Sequence, residues 1–402
     1  DPAPIQAQLL VFSGKSAAEV AKMHRLERLR EQLLEDDKAI GILVERFVRA
    51  SLEGWRYALD NKQEVADRIS ATLPRYIYTF GDLQTYNREF AARMDRYTYF
   101  PGVNPGTSDR NRWSRSYRLL LDAGLDVVCD KPVTHDAAQA RDLVARTRRH
   151  GRLFAVAHGY SAYPMTRYAR HLVDTGAIGE LRYVQVEYVQ SGLAPRIEDA
   201  PQNNRLRWVL DPRRSGLALV MSAIGCHAQH LASFAVNRRV TSVCADAISV
   251  VPNREVIDTV SALLRFEGGL AGTFTAIQAA AGSENDIRLR VYGANGMLDW
   301  SHREPSYLRI AMLNEGPRVA GRGDASLPPE IVALGRAPRG HPEGLREAFA
   351  NIYAEVAQER MLRALGEPVP AFRYPTIEEG AHTMAFIEAC MASQGRWVDV
   401  AA

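Results

Sequence analysis

Residues 124–158 read GLDVVCDKPVTHDAAQARDLVARTRRHGRLFAVAH, and their pattern decides the fold class. Residues 125–129 form a short run rich in β-formers, residues 137–150 have helical periodicity, and residues 153–157 are apolar again. Gly151 closes the helix. A strand, a helix and a second strand in close succession predict parallel strands joined by a helical crossover.

The chain before this stretch continues the same alternation. Residues 8–12 and 39–44 are short apolar runs, and each is followed by residues with helical periodicity. After Tyr163 the rhythm changes to one helix, residues 165–175, and then to strands, which predicts a mostly antiparallel sheet. The expected strands are residues 181–189, 240–251, 259–266, 270–278 and 287–293.

The two rhythms predict an α/β protein with two domains. Residues 1–157 are expected to form a Rossmann-like domain with a doubly wound parallel sheet. Residues 158–402 are expected to form an α+β domain with a mostly antiparallel open sheet, ending in a helical segment over residues 342–402. Residues 313–339 are rich in Gly, Pro and Arg, and they predict a long surface loop, with a substrate lid as the alternative.

The composition is that of an ordinary globular protein, since 46% of the 402 residues are hydrophobic and 24% are charged. The 50 basic residues hardly exceed the 47 acidic ones and form no long block, so no nucleic-acid partner is expected. The four cysteines lie far apart, which argues against a metal site and favours a reducing compartment. No apolar run reaches the length of a membrane span, so we predict a cytoplasmic protein without a membrane partner.

From Gly124 onward the chain resembles the Gfo/Idh/MocA oxidoreductases, the family of glucose-fructose oxidoreductase and inositol dehydrogenase. The motifs that carry the resemblance follow one another in the order found in the family. They are Cys129-Asp-Lys-Pro132, His158-Gly-Tyr-Ser-Ala-Tyr-Pro-Met165, Gly176-Ala-Ile-Gly179, Trp208 with Asp211-Pro212, Ile224-Gly-Cys-His227, Leu289-Arg-Val-Tyr-Gly293, Leu298-Asp-Trp300 and Gly340-His-Pro-Glu-Gly344.

The resemblance implies two acid/base residues. Lys131 stands in the motif whose lysine lies beside the nicotinamide and the substrate in the family, and partial desolvation at the end of a parallel strand suits a lysine to proton exchange with a hydroxyl. His227 matches the histidine of the family's Asp-x-x-x-His pattern. The residue four positions earlier is Ala223 instead of Asp, so the imidazole lacks its usual carboxylate partner. We therefore expect the family's usual catalytic route to be lost.

Further candidates are expected around this pair. Tyr160 is a third acid/base candidate, although ring packing is an alternative role for it and for Tyr163. Cys226 is better interpreted as a buried small hydrophobe than as a nucleophile. His230 lies three residues after His227, but no acidic third ligand is evident, so no metal is expected. The candidates for substrate binding are Tyr163, Trp208, His158 and Arg110; His158 also fits a structural role, and Arg110 also fits a solvated face.

The nucleotide-binding turn departs further from the family pattern. A dinucleotide site needs several glycines between its first strand and helix, because the pyrophosphate must approach backbone N–H groups. Residues 12–19 contain only Gly14, and Glu19 in the first helical turn would repel a phosphate. We therefore expect no cofactor, with Gly14 as a vestige of the site, and NAD(P) as the alternative.

These observations favour a pocket between the domains that performs non-redox acid/base chemistry on a polyol- or sugar-like molecule, or that only binds it. The first alternative is an NAD(P)-dependent sugar or cyclitol dehydrogenase with atypical cofactor contacts. The second is an inactive subunit that stabilises an active paralogue. The resemblance implies assembly through the open face of the C-terminal sheet, so we expect a homo-oligomer or a hetero-oligomer with a paralogue.

Overall fold

The structure is a computed structural model, and it describes most of the chain after residue 116. The described residues all lie in the second of two compact units, which begins at Ser108. The expected strands at 8–12 and 39–44 and the turn at Gly14 lie outside the described residues. The described residues are 117, 120–122, 124–199, 210–212, 216, 218–371 and 373–401.

The strand, helix and strand predicted from residues 124–158 are present. Strands β1 (Val127–Cys129) and β2 (Phe154–Val156) pair in parallel, and helix α1 (Ala137–His150) connects them. The Asp136 side chain caps α1 by accepting a hydrogen bond from the Gln139 N–H at 2.8 Å. The chain leaves the helix at a glycine in the left-handed conformation, with a φ of 60°.

A nine-stranded sheet forms the larger part of the described structure. Its strand order is β10-β9-β8-β7-β3-β6-β5-β4-β11, and every neighbouring pair is antiparallel except β3 with β6. A parallel sheet and a mostly antiparallel sheet within one chain confirm the predicted fold class. The strands are β3 (Leu181–Gln190), β4 (Val240–Ile248), β5 (Thr259–Phe266), β6 (Ala271–Ile277), β7 (Asn285–Gly293), β8 (Gly296–Ser301), β9 (Tyr307–Met312), β10 (Arg318–Gly321) and β11 (Trp397–Asp399).

One face of this sheet is covered and the other is open. Along β5 the side chains of Val260 and Leu264 are fully buried, whereas those of Ser261, Leu263 and Arg265 between and beside them are exposed. Such alternation is the signature of a strand with one buried face. The covered face carries the core, and a helix packs on it through Phe386, whose ring meets Phe274 of β6 edge to face at 5.4 Å.

Helices and short turns complete the described structure. A 3₁₀ turn over residues 159–162 precedes the helix Pro164–Asp174. A π-helical turn over residues 221–225 precedes the helix Cys226–Val236. No helix among the described residues is long and apolar enough to cross a membrane. The helices are α2 (Pro164–Asp174), α3 (Cys226–Val236), α4 (Pro329–Val332), α5 (Leu345–Leu365) and α6 (Ile377–Ser393).

The prediction of one long surface loop over residues 313–339 is wrong in part, because the segment contains β10 and α4. Strand β10 forms by pairing with β9, and α4 is a single turn, so neither has the length that produces a periodic pattern. Arg322 lies within this segment, and its almost fully buried guanidinium is 3.0 Å from the Glu343 carboxylate. This ion pair connects the segment to the residues that follow it. The domain boundary expected between residues 157 and 158 stays a prediction.

Candidate functional site

Lys131 extends from the carboxyl end of β1 towards the π-helical turn. Its main-chain N–H donates to the Asp130 carboxylate at 2.8 Å, and a cis peptide bond joins it to Pro132. Its Nζ donates to the main-chain carbonyl oxygen of Ala223 at 2.5 Å. Residue 223 is Ala, so its side chain offers no carboxylate, but its main-chain carbonyl oxygen still accepts a hydrogen bond from Lys131.

His227 lies in the first turn of α3, immediately after the π-helical turn of residues 221–225. Such turns interrupt regular helices and often occur at functional sites. The Nδ1 of His227 is buried and has no hydrogen-bond partner among the described residues. Burial first, and then the nearby charges of Lys131 and His230, hold the pKa of His227 well below its usual value. The imidazole is therefore neutral at pH 7.

Two further histidines lie near this one. The His158 ring, which is 2% exposed, stacks on His230 with ring centroids 4.3 Å apart, and it meets His227 edge to face at 5.6 Å. Burial, followed by the charges of the same neighbours, also lowers the pKa of His158. The His230 Nε2 lies 3.7 Å from the Glu379 carboxylate, which is an ion-pair distance but too long for a hydrogen bond.

Tyrosines form the next layer of the site. The Tyr160 ring meets His227 edge to face at 5.0 Å, and its hydroxyl lies 2.6 Å from the hydroxyl of Tyr188 on β3. The Tyr163 hydroxyl lies 3.2 Å from the Nε2 of His302, a residue directly after β8. The structure therefore brings Tyr160 and Tyr163 close to the histidine cluster.

The 3₁₀ turn that carries these tyrosines is held by buried polar contacts. The Arg167 side chain, 3% exposed, donates from Nε to the Ser161 carbonyl at 2.7 Å and forms a bidentate pair with Glu355. The Asn351 amide donates to the Ala162 carbonyl at 3.1 Å. Because these contacts satisfy the backbone of the turn, its side chains are held in fixed positions.

Several predicted residues stand apart from this cluster. Arg110, Trp208 and Gly14 lie outside the described residues. Cys226 is fully buried, its thiol donates to the Ser222 carbonyl at 3.2 Å, and burial raises its pKa, so it has the environment of a buried thiol. Among the described residues, no group of three or more His, Cys, Asp or Glu side chains is arranged to hold a metal ion.

Three residues of the site were missed by sequence reasoning: Tyr188, Asn285 and His302. They lie on β3, at the start of β7 and just after β8, far apart in sequence. No short motif contains them, and only the sheet register brings them together.

Comparisons with known proteins match this chain to an oxidoreductase family and, over a short stretch, to a ribosomal maturation protein. The sequence model of the GFO/IDH/MocA C-terminal domain matches residues 166–299. Uncharacterized oxidoreductase YfiI of Bacillus subtilis (strain 168) is 27% identical over 289 residues, which cover 70% of this chain and 73% of that protein. A stretch of 56 residues, 14% of this chain, is 52% identical to the dual-action ribosomal maturation protein DarP of Aromatoleum aromaticum and covers 30% of it.

Solved structures with the same fold cover more of the chain. An oxidoreductase from Sinorhizobium meliloti is 32% identical with a TM-score of 0.62, and the match covers 79% of this chain and 85% of that one. An inositol dehydrogenase homolog from Azotobacter vinelandii, in complex with NAD+, is 27% identical with a TM-score of 0.68, covering 79% and 84%. The same homolog has been solved with NADH and myo-inositol.

These complexes contradict the prediction that the site takes no cofactor. That prediction rested on the missing glycines around Gly14, in a part of the chain that the structure does not describe. A glycine fingerprint is a weak criterion, because a fold can keep its ligand when the local motif changes. The loss of one motif was therefore too little to exclude a nicotinamide cofactor.

Proposed function

The chain belongs to the Gfo/Idh/MocA oxidoreductase family, and from that premise we propose that it is an NAD(P)-dependent oxidoreductase that oxidises a hydroxyl group of a polyol, cyclitol or sugar. One observation carries the proposal. The Lys131 amine reaches the turn that precedes His227, whose buried Nδ1 has no partner among the described residues. A hydrogen-bond donor and a neutral imidazole in one place are the groups that deprotonation of an alcohol requires.

The residues present fit the nicotinamide end of such a cofactor. Buried polar atoms are rarely left without partners, and the Nδ1 atoms of His158 and His227 are both in that state within the described part of the chain. Lys131 follows the carboxyl end of a parallel strand, where open α/β sheets place their ligands. A nicotinamide, when bound, supplies the hydride acceptor.

The protein's own residues then supply the proton chemistry. His227, kept neutral by burial, accepts the proton of the substrate hydroxyl. Lys131, held by the Ala223 carbonyl, donates a hydrogen bond to the same oxygen and stabilises the negative charge that develops there. Tyr160 packs its ring edge against His227 and limits the orientations of the imidazole.

The absence of a carboxylate at Ala223 favours a second candidate function. Without an aspartate to orient His227, the same two residues could exchange protons with a polyol without hydride transfer. We therefore keep non-redox acid/base chemistry as the alternative. Ala223→Asp separates the two, because a working dehydrogenase should gain turnover from the carboxylate, whereas a non-redox protein should gain no cofactor-dependent activity.

The test of the main proposal is a turnover assay on the full chain. NAD+ and NADP+ are each supplied with myo-inositol, levoglucosan and other polyols, and formation of the reduced nicotinamide is followed by absorbance. Lys131→Met is expected to lower turnover about 10²- to 10⁴-fold, because that is the usual contribution of a placed acid/base group. Arg148→Met, which removes an exposed cation from α1, is the matched control. Cofactor-dependent turnover that survives Lys131→Met would refute the assignment.

We also propose that the open face of the nine-stranded sheet is an assembly surface. Leu263 of β5, Cys244 of β4 and Trp397 of β11 are direct cross-strand neighbours, and the first and last are 49% and 46% exposed. Large exposed apolar side chains in a row are typical of interfaces. Leu263→Glu is expected to lower the molar mass measured by sedimentation equilibrium, and an unchanged mass would argue against this surface.

A further inference from the structure

Asn351 of α5 connects two separate backbone segments near the site. Its side chain is 2% exposed, and its Nδ2 donates to the Ala162 carbonyl in the 3₁₀ turn and to the Leu334 carbonyl, each at 3.1 Å. Its Oδ1 accepts from the Arg336 Nε at 3.0 Å. The two carbonyls can only accept and the guanidinium can only donate, so these three partners fix the orientation of the Asn351 amide.

Arg336 is the outer end of this connection. The residue is exposed, yet its Nε reaches Asn351 and its Nη2 donates to the Ala350 carbonyl at 2.8 Å. Its main-chain N–H donates to the buried Glu343 carboxylate at 2.6 Å, which anchors the backbone at this position. A substitution of the Arg336 side chain therefore removes a hydrogen bond from Asn351 without opening a cavity in the core.

The 3₁₀ turn that Asn351 holds lies next to rings that contact His227. The Tyr160 ring, two residues before Ala162, meets His227 edge to face at 5.0 Å. The His158 ring, on the residue that precedes the turn, meets the same imidazole edge to face at 5.6 Å. The position of the turn therefore sets the position of both rings against His227.

These ring contacts matter because His227 lacks the usual means of orienting an imidazole. Residue 223 is Ala, and the His227 Nδ1 has no hydrogen-bond partner among the described residues. A base must lie within hydrogen-bond reach of the proton that it accepts, so its ring needs a fixed orientation. Packing against Tyr160 and His158 restricts the ring where a hydrogen bond to a carboxylate would otherwise do so.

We propose that Asn351 and Arg336 are positioning residues that orient His227 for proton transfer, in place of a carboxylate at position 223. This inference rests on the proposed function, because it concerns the residue assigned there as the proton acceptor. Asn351 acts through the Ala162 carbonyl and the rings beside it, and Arg336 acts through Asn351. Neither residue takes part in the proton transfer itself.

The first test measures kcat and KM of the full chain with both nicotinamides and with myo-inositol and levoglucosan as probes. Asn351→Asp keeps the shape of the side chain and an acceptor for Arg336, but it offers no N–H to the Ala162 carbonyl. It is expected to lower kcat about 10- to 100-fold, with KM for the polyol changing less, because a displacement of about 1 Å can cost about 10²-fold. Arg336→Met should lower kcat about 2- to 10-fold. Arg339→Met, at an exposed arginine of the same segment, is the matched control.

The second test asks whether a carboxylate at position 223 replaces the connection. Ala223→Asp is introduced into the native chain, into Asn351→Asp and into Arg336→Met. The gain in kcat should be about fivefold larger in the two variants than in the native chain, because the new carboxylate then restores an orientation that has been lost. Equal gains in all three would overturn the inference, since a residue that only stabilises the fold does not depend on the group at position 223. Arg336→Met keeps the test decisive if Asn351→Asp is unstable.

A measurement without substrate separates this inference from the function on which it rests. Hydrogen exchange of residues 158–163, followed by mass spectrometry, should be faster in Asn351→Asp and Arg336→Met than in Arg339→Met, and unchanged exchange would contradict the connection whatever the activity. A native protein that oxidises a polyol with a kcat indifferent to both substitutions contradicts the inference and leaves the proposed function standing. A native protein that oxidises none of the polyols with either nicotinamide contradicts the proposed function, and the orienting role falls with it.

Discussion

Replacing His382 with phenylalanine is expected to make the free energy of unfolding less dependent on pH. His382 lies on α6, is 8% exposed, and its Nε2 has no hydrogen-bond partner among the described residues. Burial, and then the charge of Arg239, lower its pKa to about 4. The folded protein therefore resists a proton that the unfolded chain accepts readily.

The sign and size of the effect follow from linkage. Above pH 6.5 the imidazole is neutral in both states, so it contributes no pH dependence. As the pH falls from 6.5 towards 4, the unfolded chain binds the proton first and the folded state loses stability. The loss is about 2 kcal/mol at pH 5 and about 3 kcal/mol once both states are protonated, since each pKa unit corresponds to about 1.4 kcal/mol.

Urea unfolding between pH 8 and pH 4.5 measures this difference directly. Other buried histidines and carboxylates also titrate, but their effects are common to the native chain and His382→Phe and largely cancel in the difference. Any change in packing appears as a constant offset at pH 8. His341→Phe, at an exposed histidine, should follow the native curve. A difference between native and His382→Phe that stays constant from pH 8 to pH 5 would refute the reasoning.

Two further substitutions test the packing that positions the site. Gly293→Ala would place a Cβ 2.1 Å from the Ile178 carbonyl oxygen and is expected to cost about 1–3 kcal/mol of unfolding free energy, whereas Gly192→Ala meets no atom within 4 Å and should change it little. Asp258→Ala leaves the fully buried Arg254 guanidinium without one of its two carboxylates and should cost about 3 kcal/mol by urea unfolding. A cost below about 1 kcal/mol for either would contradict the contacts described.

The elements with local signals could be predicted closely from the sequence. Helix α1 has the expected bounds because its helical periodicity is clear and Gly151, which closes it, is visible in the sequence. Strand β5 coincides with the expected residues 259–266 because every second position from Val260 to Phe266 carries an apolar side chain. Strand β4 was expected to reach residue 251 but ends at Ile248, because the chain then turns to let the Asp258 carboxylate accept main-chain hydrogen bonds.

The candidate site was predicted only where a family motif marks it. Lys131 and His227 occur in such motifs, and the structure places the Lys131 amine on the turn before His227. The contributions of Asn285 and His302 to the site could not be predicted, because only contacts between distant segments bring them beside Tyr188 and Tyr163. The prediction of no cofactor failed for the opposite reason, since it gave one local motif more weight than the fold.

The place of β3 in the middle of the nine-stranded sheet has a consequence during synthesis on the ribosome. Its partners are β6 and β7, and β6 begins at Ala271, 81 positions after β3 ends at Gln190. At about 5–20 residues per second, β3 waits about 4–16 s with both edges unpaired. A strand left open in this way is a template for pairing with other chains. Slower translation of the intervening segment would lengthen that exposure.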